Sequence, residues 1–266
     1  MKLLLKIIFH LVIFILLTAL SQIGGLIYLI SILIIKSKTR KRRLKKISVF
    51  ISLYLISTFF IVPNLAPIFG REKIKESNLV SAHTFFTKLL NRNYVLPDLN
   101  NALEQIALSL DKKHKGIKLI YLDANFPFID KFPLLPHLSH NDGKKIDISL
   151  IYEDENLTNK KPSISGYGVF ENPKKGEYKQ LEVCQKKGYW QYDFPKYLTF
   201  GTLNKNIQFS ERATKNLVLE ILKQPKIAKL FIEPHLKSRM NLRNSKIRFH
   251  GCQAVRHDDH IHIQLK

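Results

Sequence analysis

Two apolar stretches at the N-terminal end limit what this chain can fold into more than any other feature. From Ile7 to Ile35 there is no Asp, Glu, Lys or Arg, and Ile and Leu dominate; a second such stretch runs from Ile47 to Phe69 and carries Pro63 and Pro67 near its end. Each exceeds the roughly 20 residues a helix needs to cross a bilayer. The first is also longer than the apolar core of a signal peptide, about 7–15 residues, and no small-residue cleavage site follows it. The expectation is two transmembrane helices, about 7–35 and 47–69.

Between them, residues 36–46 are Lys or Arg at every position except Ser37, Thr39 and Leu44. The positive-inside rule assigns such a loop to the cytoplasm. With one helix on either side, both the N-terminus and the chain beyond about Arg71 are expected outside. Residues 1–71 then form a membrane anchor and residues 72–266 an exported domain. The formal net charge of +22 raises a nucleic-acid partner as a rival. The basic run lies between two spans, however, and the remaining basic residues form no block interleaved with regularly spaced aromatics, so no nucleic acid is expected. Cys184 and Cys252 fall in no metal-type spacing, which leaves a disulfide and two separate thiols both open.

Within the exported domain the pattern from Glu72 to about Lys115 reads as helical, and Leu99, Ala102, Leu103, Ile106, Ala107 and Leu110 predict an amphipathic helix near 98–112. Ile117–Leu122 has β character, and a proline-rich loop follows from Asn125 to Pro136. Residues 146–152 alternate as a strand, with Ile146, Ile148 and Leu150 on one face and Asp147 and Ser149 on the other. Residues 153–180 read as a polar surface excursion, and residues 210–232 as a helix ending near Pro234. Gly188–Tyr197 gathers the only Trp with several aromatics and is expected to pack in the core. From Val255 to Leu265 the chain alternates again, with His260, His262 and Gln264 opposite Ile261, Ile263 and Leu265. The fold class expected is α+β with a mainly antiparallel sheet.

Two clusters more than a hundred residues apart carry the chemistry: His137-Leu-Ser-His140-Asn-Asp-Gly143-Lys-Lys-Ile-Asp147, and His257-Asp-Asp-His260-Ile-His262. A catalytic zinc takes three protein ligands from imidazole and carboxylate and keeps a fourth position open. His140, Asp147 and His262 supply that set. Residues two apart on a strand share a face, so His260 stands beside His262 where a base would be needed. Gly143 permits the turn that lets His140 and Asp147 converge. His10, His83, His114, His235 and His250 are set aside as isolated; Asp258 and Asp259 read either as acceptors that orient these imidazoles or, by preference, as an exposed acidic turn.

Ser139-His140-x-x-Gly143-x-x-x-Asp147 with His260-x-His262 resembles the signature of the zinc peptidase group that contains lysostaphin, the D-Ala-D-Ala carboxypeptidases and the Hedgehog zinc domain. The closer resemblance is to the penicillin-insensitive murein endopeptidases, through His137, Ser139, His140, Gly143, Asp147, Ile148, His257, His260 and His262, and more loosely through Leu230–Lys237. The resemblance implies a Hedgehog/D-Ala-D-Ala-peptidase-like domain after the two spans. It implies Zn2+ on His140, Asp147 and His262, with His257, His260 and His137 serving the reaction. It implies a murein endopeptidase acting on peptidoglycan peptides; the two spans and the basic loop add the expectation of the bacterial inner membrane, with the domain facing the periplasm or cell exterior. A D,D-carboxypeptidase and a non-catalytic zinc-containing wall-binding module are the alternatives, and a metal-free membrane sensor is a third class.

Overall fold

The computed structural model describes residues 2–35 and 41–266, so residues 36–40 of the basic loop lie outside the described residues. The first apolar run is two helices rather than one. Helix α1 (Lys2–Ser21) ends at Gln22, whose φ is +63°, and helix α2 (Gly24–Ile34) folds back along it. His10 Nδ1 and the Tyr28 hydroxyl meet at 2.5 Å, whereas eighteen residues of straight helix would hold them about 27 Å apart. Gly24 and Gly25 allow this approach: a Cβ at either would stand 2.6 Å from a carbonyl oxygen of α1, that of Leu17 or of Phe14. Helix α3 is the helical run Arg42–Phe69, with a π turn at Ser57–Ile61 ahead of Pro63. Leu3–Ser21 and Arg42–Phe69 are long and apolar enough to cross a membrane, and Gly24–Ile34 is shorter.

The hairpin sets where the domain meets the N-terminal helices. Gln22 Oε1 accepts from the Phe128 N–H at 3.1 Å, and Asn91 Nδ2 donates to the Ser21 carbonyl at 3.5 Å. The globular domain therefore sits against the C-terminal end of α1, with the start of the chain at the far end of that helix. No linker separates α3 from the domain: Arg71 is 1% exposed, and its guanidinium donates to the Phe126 and Asn141 carbonyls and pairs with Asp130.

The domain is α+β. Its main sheet has six strands, β1 (Val80–Ala82), β2 (Leu119–Asp123), β3 (Lys145–Ser149), β4 (Ile227–Phe231), β5 (Ile247–Arg248) and β6 (His260–Leu265), in spatial order β5-β4-β6-β3-β2-β1. The four central strands pair antiparallel, and the outer pairs β1/β2 and β4/β5 are parallel. Helices α4 (Pro97–Lys113) and α5 (Glu211–Lys223) lie together on one face. Pro97 at the first position, Asp98 in the first turn and Lys112 and Lys113 in the last suit the helix termini of α4. Its apolar stripe is buried as the periodicity predicts.

Three readings give way. Helix α5 stops at Lys223 because Pro225 pushes Gln224 out of the helical region to ψ 120°, and the apolar residues beyond become β4. The stretch from Glu72 to Leu96 holds short strands and one short helix rather than continuous helix. Trp190 is 72% exposed, and the core position in its segment belongs to Tyr192.

Strand alternation divides the sheet. Ile146, Ile148, Ile261, Ile263 and Leu265 join the core under α4 and α5. Asp147, His260 and His262 point to the opposite face and are buried there as well.

Candidate metal centre

The register places His262 directly opposite Asp147 across the antiparallel pair β6/β3. His140 reaches the same point from the loop before β3. His262 Nδ1 lies 2.8 Å from Asp147 Oδ1, and His140 Nε2 lies 3.2 Å from both of those atoms. Ligands around a tetrahedral zinc at its usual bond lengths stand about 3.3 Å apart. The triangle therefore fits a small cation, and these three buried residues form a group that could hold a metal ion.

Surrounding groups fix which atoms face inward. His140 Nδ1–H donates to the Ala124 carbonyl at 2.9 Å, which leaves the Nε2 lone pair for the centre. Tyr167 O–H donates to Asp147 Oδ2 at 2.8 Å, which leaves Oδ1. Burial opposes charge on Asp147, but His140 and His260 outweigh it and hold the carboxyl well below its ordinary value. Burial, reinforced by His140 and His260 against the pull of Asp147, pushes His262 down to about 4. A carboxylate anion beside an unprotonated imidazole is what a cation requires.

His260 stands next to the triangle, with Nε2 3.8 Å from Asp147 Oδ1 and Nδ1–H donating to Asp259 Oδ1 at 2.5 Å. Burial lowers its basicity, but the carboxylates of Asp259 and Asp147 overcome this and raise it to about 9. The ring of His257 lies 4.9 Å from that of His260. Its pKa is well below the usual value, first from burial and then from His260, His262 and His250. Its backbone N–H is held by Glu233 Oε1 at 2.9 Å, and Glu233 in turn accepts from the buried Tyr192 hydroxyl at 2.6 Å. His137 borders the triangle from the other side, with Nδ1 3.5 Å from Asp147 Oδ2. Its Nδ1–H donates to Asp123 Oδ2 at 2.7 Å, and its ring packs 4.8 Å from that of Tyr167. Arg92 pairs with the same Asp123, whose carboxyl is resisted by burial yet held down to about 2 by Arg92 and His137.

All six residues singled out in the sequence, His137, His140, Asp147, His257, His260 and His262, thus gather at one place. Other residues join them. Asp258 and Asp259 do not form an exposed turn, since both are fully buried. Asp259 holds His260 and accepts the Gly168 N–H at 2.6 Å, while Asp258 is held by Arg256 Nε at 2.7 Å. Tyr167 belongs to the stretch read as a surface excursion. His250, set aside as isolated, stands exposed with its ring 5.3 Å from that of His257 and 6.0 Å from that of His262. The available signal for His250 was its place seven positions before His257, the first residue of the histidine motif; nothing local marked Tyr167. Cys184 and Cys252 are joined in a disulfide, with Cα atoms 5.2 Å apart, which ties the helix Gln180–Lys186 to the loop leading into His257.

No family model matches this chain, and no curated protein matches it.

Proposed function

We propose that this chain is a zinc-dependent peptidoglycan hydrolase of the murein-endopeptidase kind, held in a bacterial cytoplasmic membrane with residues 72–266 outside the cytoplasm. One observation carries the reading: a donor triangle of two imidazoles and a carboxylate, with a carboxylate-backed third imidazole beside it. His140 Nε2, Asp147 Oδ1 and His262 Nδ1 would hold the ion. Zinc in such a site supplies Lewis acidity that makes water nucleophilic near neutral pH and polarises a carbonyl.

His260 has the position and the partner of a general base. Asp259 fixes its Nδ1–H, so Nε2 faces the reacting centre, the arrangement by which a buried carboxylate orients an imidazole in hydrolases. Asp259, Asp147 and Asp258 are the carboxylates that raise His260; once Asp147 faces a cation, its share of that pull toward the imidazolium is withdrawn. His260 then accepts the proton of the attacking water and passes it to the amine that leaves as the C–N bond breaks. His257, kept neutral by burial and by its histidine neighbours, can donate a hydrogen bond to the developing oxyanion. His137 has its proton on Asp123 and serves at the edge of the site, against Tyr167.

The membrane assignment has separate support. Leu3, Leu4, Phe9, Ile15 and Leu16 on α1 are all more than half exposed, a row that suits lipid and not water. Gln22 is bonded to Phe128 and Ile129, contacts that join the end of α1 to the domain and support its role as an anchor. Lys41, Arg42, Arg43, Lys45 and Lys46 stand where α3 begins, and the domain stands where it ends, which by the positive-inside rule favours a domain outside. The disulfide suits an oxidising compartment.

The test is digestion of purified muropeptides by the full-length protein in nanodiscs, with metal content measured on the same sample. Conversion of cross-linked dimers to monomers, abolished by a chelator and restored by zinc, is the expected result. Release of terminal D-Ala alone would redirect the reading to a carboxypeptidase. A zinc-loaded protein that binds muropeptides and leaves them intact would overturn the enzyme reading in favour of a binding module.

A further inference from the structure

The loop that delivers His137 and His140 to the site is also the loop that rests on the membrane helices. At its start the Phe128 N–H is bonded to Gln22 in the α1–α2 turn, and the Phe128 ring meets Phe69 of α3 edge-on at 5.0 Å. Beside it, the turn that opens with Phe85 is tied to the same helices: Tyr54 O–H donates to the Leu89 carbonyl at 2.9 Å, and the Phe85 ring stacks on Phe59 at 5.9 Å. Along this border Phe85, Phe86, Ile129, Leu135 and Leu138 are each 56–66% exposed. Large apolar side chains in that density on a water-facing surface would be unfavourable. Leu135 and Leu138 bracket His137. Exposed Lys131 flanks the group with a long stem and a terminal charge, the arrangement that lets an ammonium reach lipid phosphates while its stem stays in apolar surroundings.

We propose that Phe85, Phe86, Ile129, Leu135 and Leu138 are seated in the bilayer interface, so that the metal site opens at the membrane surface and takes a peptide carried on a lipid tail. The occupant of the patch is lipid because the patch is continuous with α1 and α3, whose own exposed apolar rows end at the same border. The height of the site is set by the fold. Arg71, the second residue after α3, is already buried against the His140 loop, so the domain has no tether on which to leave the bilayer. A substrate must come to the membrane, and one already anchored there meets the site at high effective concentration. The seating rests on the membrane reading given above, and the choice of a lipid-borne substrate rests in addition on the peptidase reading.

Two measurements on the full chain separate these layers. Phe86→Cys, Ile129→Cys and Arg243→Cys, the last beside the edge strand β5, are labelled with an environment-sensitive fluorophore and reconstituted in phosphatidylethanolamine/phosphatidylglycerol vesicles containing spin-labelled lipid. Labels at 86 and 129 are expected to be quenched several-fold more than the label at 243. Equal quenching at all three positions, or none at 86 and 129, overturns the seating. In the second measurement one cross-linked peptide is offered with and without a lipid tail in the same vesicles. At least a tenfold preference for the lipid-borne form is expected, shrinking in a Phe86→Ser/Ile129→Ser double variant that still cleaves the free peptide. Equal cleavage of both forms overturns the substrate assignment and leaves the peptidase reading intact. If neither form is cleaved, the peptidase reading and the substrate assignment fall together, while the quenching result still decides the seating.

Discussion

The two faces of the central sheet are built from the same strands and obey different rules. On the face under α4 and α5, Ile146, Ile148, Ile261, Ile263 and Leu265 need only volume and dryness, and any side chain of similar size would satisfy the neighbours. On the opposite face Asp147, His260 and His262 are buried equally, yet each depends on one particular partner: Tyr167 for Asp147, Asp259 for His260, Asp147 for His262. Alternation along β3 and β6 puts these two regimes one residue apart. The apolar face should therefore respond to mutation in stability and the polar face in chemistry.

The largest separation is expected at His262. His262→Ala should abolish both metal content and turnover, read by elemental analysis and muropeptide digestion, while the protein remains folded; retained stoichiometric metal would remove His262 from the ligand set. His260→Ala is expected to keep the metal and to lose about 10²–10⁴-fold in rate, the usual cost of a missing general base. Tyr167→Phe removes one hydrogen bond from the back of Asp147 and should weaken metal affinity by about 10–100-fold, measurable by competition with a chromogenic chelator; unchanged affinity would mean that Tyr167 does not orient the carboxylate.

A dependence on pH is expected from His260 on the polar face. His260 is raised to about 9 in the folded chain against an ordinary value of 6.5. A group raised in the folded state stabilises it fully below the unfolded value and loses that contribution as pH climbs through the folded one. Buried Lys161, lowered to about 7, contributes the opposite slope in this window, so the prediction is a difference: between pH 6.5 and 9 the melting temperature of chelator-treated wild type should lose ground relative to His260→Ala, and identical slopes would exclude a contribution from His260. Smallest is Ile263→Val on the apolar face, which should cost about 0.5–1.5 kcal/mol of stability and leave the kcat/KM of the folded fraction unchanged. A drop in kcat/KM there would show that the two faces are coupled.

What the sequence revealed follows the same division. Helix α4, β3 and β6 announce themselves through local period, and the histidine spacing marks the site because residues 140, 147, 260 and 262 sit on or next to those strands. What stayed hidden depends on partners far along the chain. Tyr167 sits in a polar, Gly-rich stretch and becomes part of the site only by reaching Asp147, while Asp259 is buried because Gly168, ninety-one residues earlier, satisfies it. Strand β4 read as the tail of a helix because a short apolar run fits either period. The turn at Gln22 left no mark in hydropathy, since the apolar run continues through it and only Gly24 and Gly25 hint at a close helix crossing.

The direct opposition of His262 and Asp147 across β6 and β3 has a consequence for how such a protein can change over generations. Loops roofing the site can lengthen or shorten with little effect on the ligand triangle, because none of its geometry is measured through them except at His140. A single inserted or deleted residue within either strand is different: it would rotate every following side chain to the other face, bringing Ile146 or Ile148 where Asp147 stands, or Ile261 or Ile263 where His262 stands. Either change removes one ligand of the three outright, with no graded alternative. Lineages carrying this arrangement should therefore vary freely in loop length while the count of residues along these two strands stays constant.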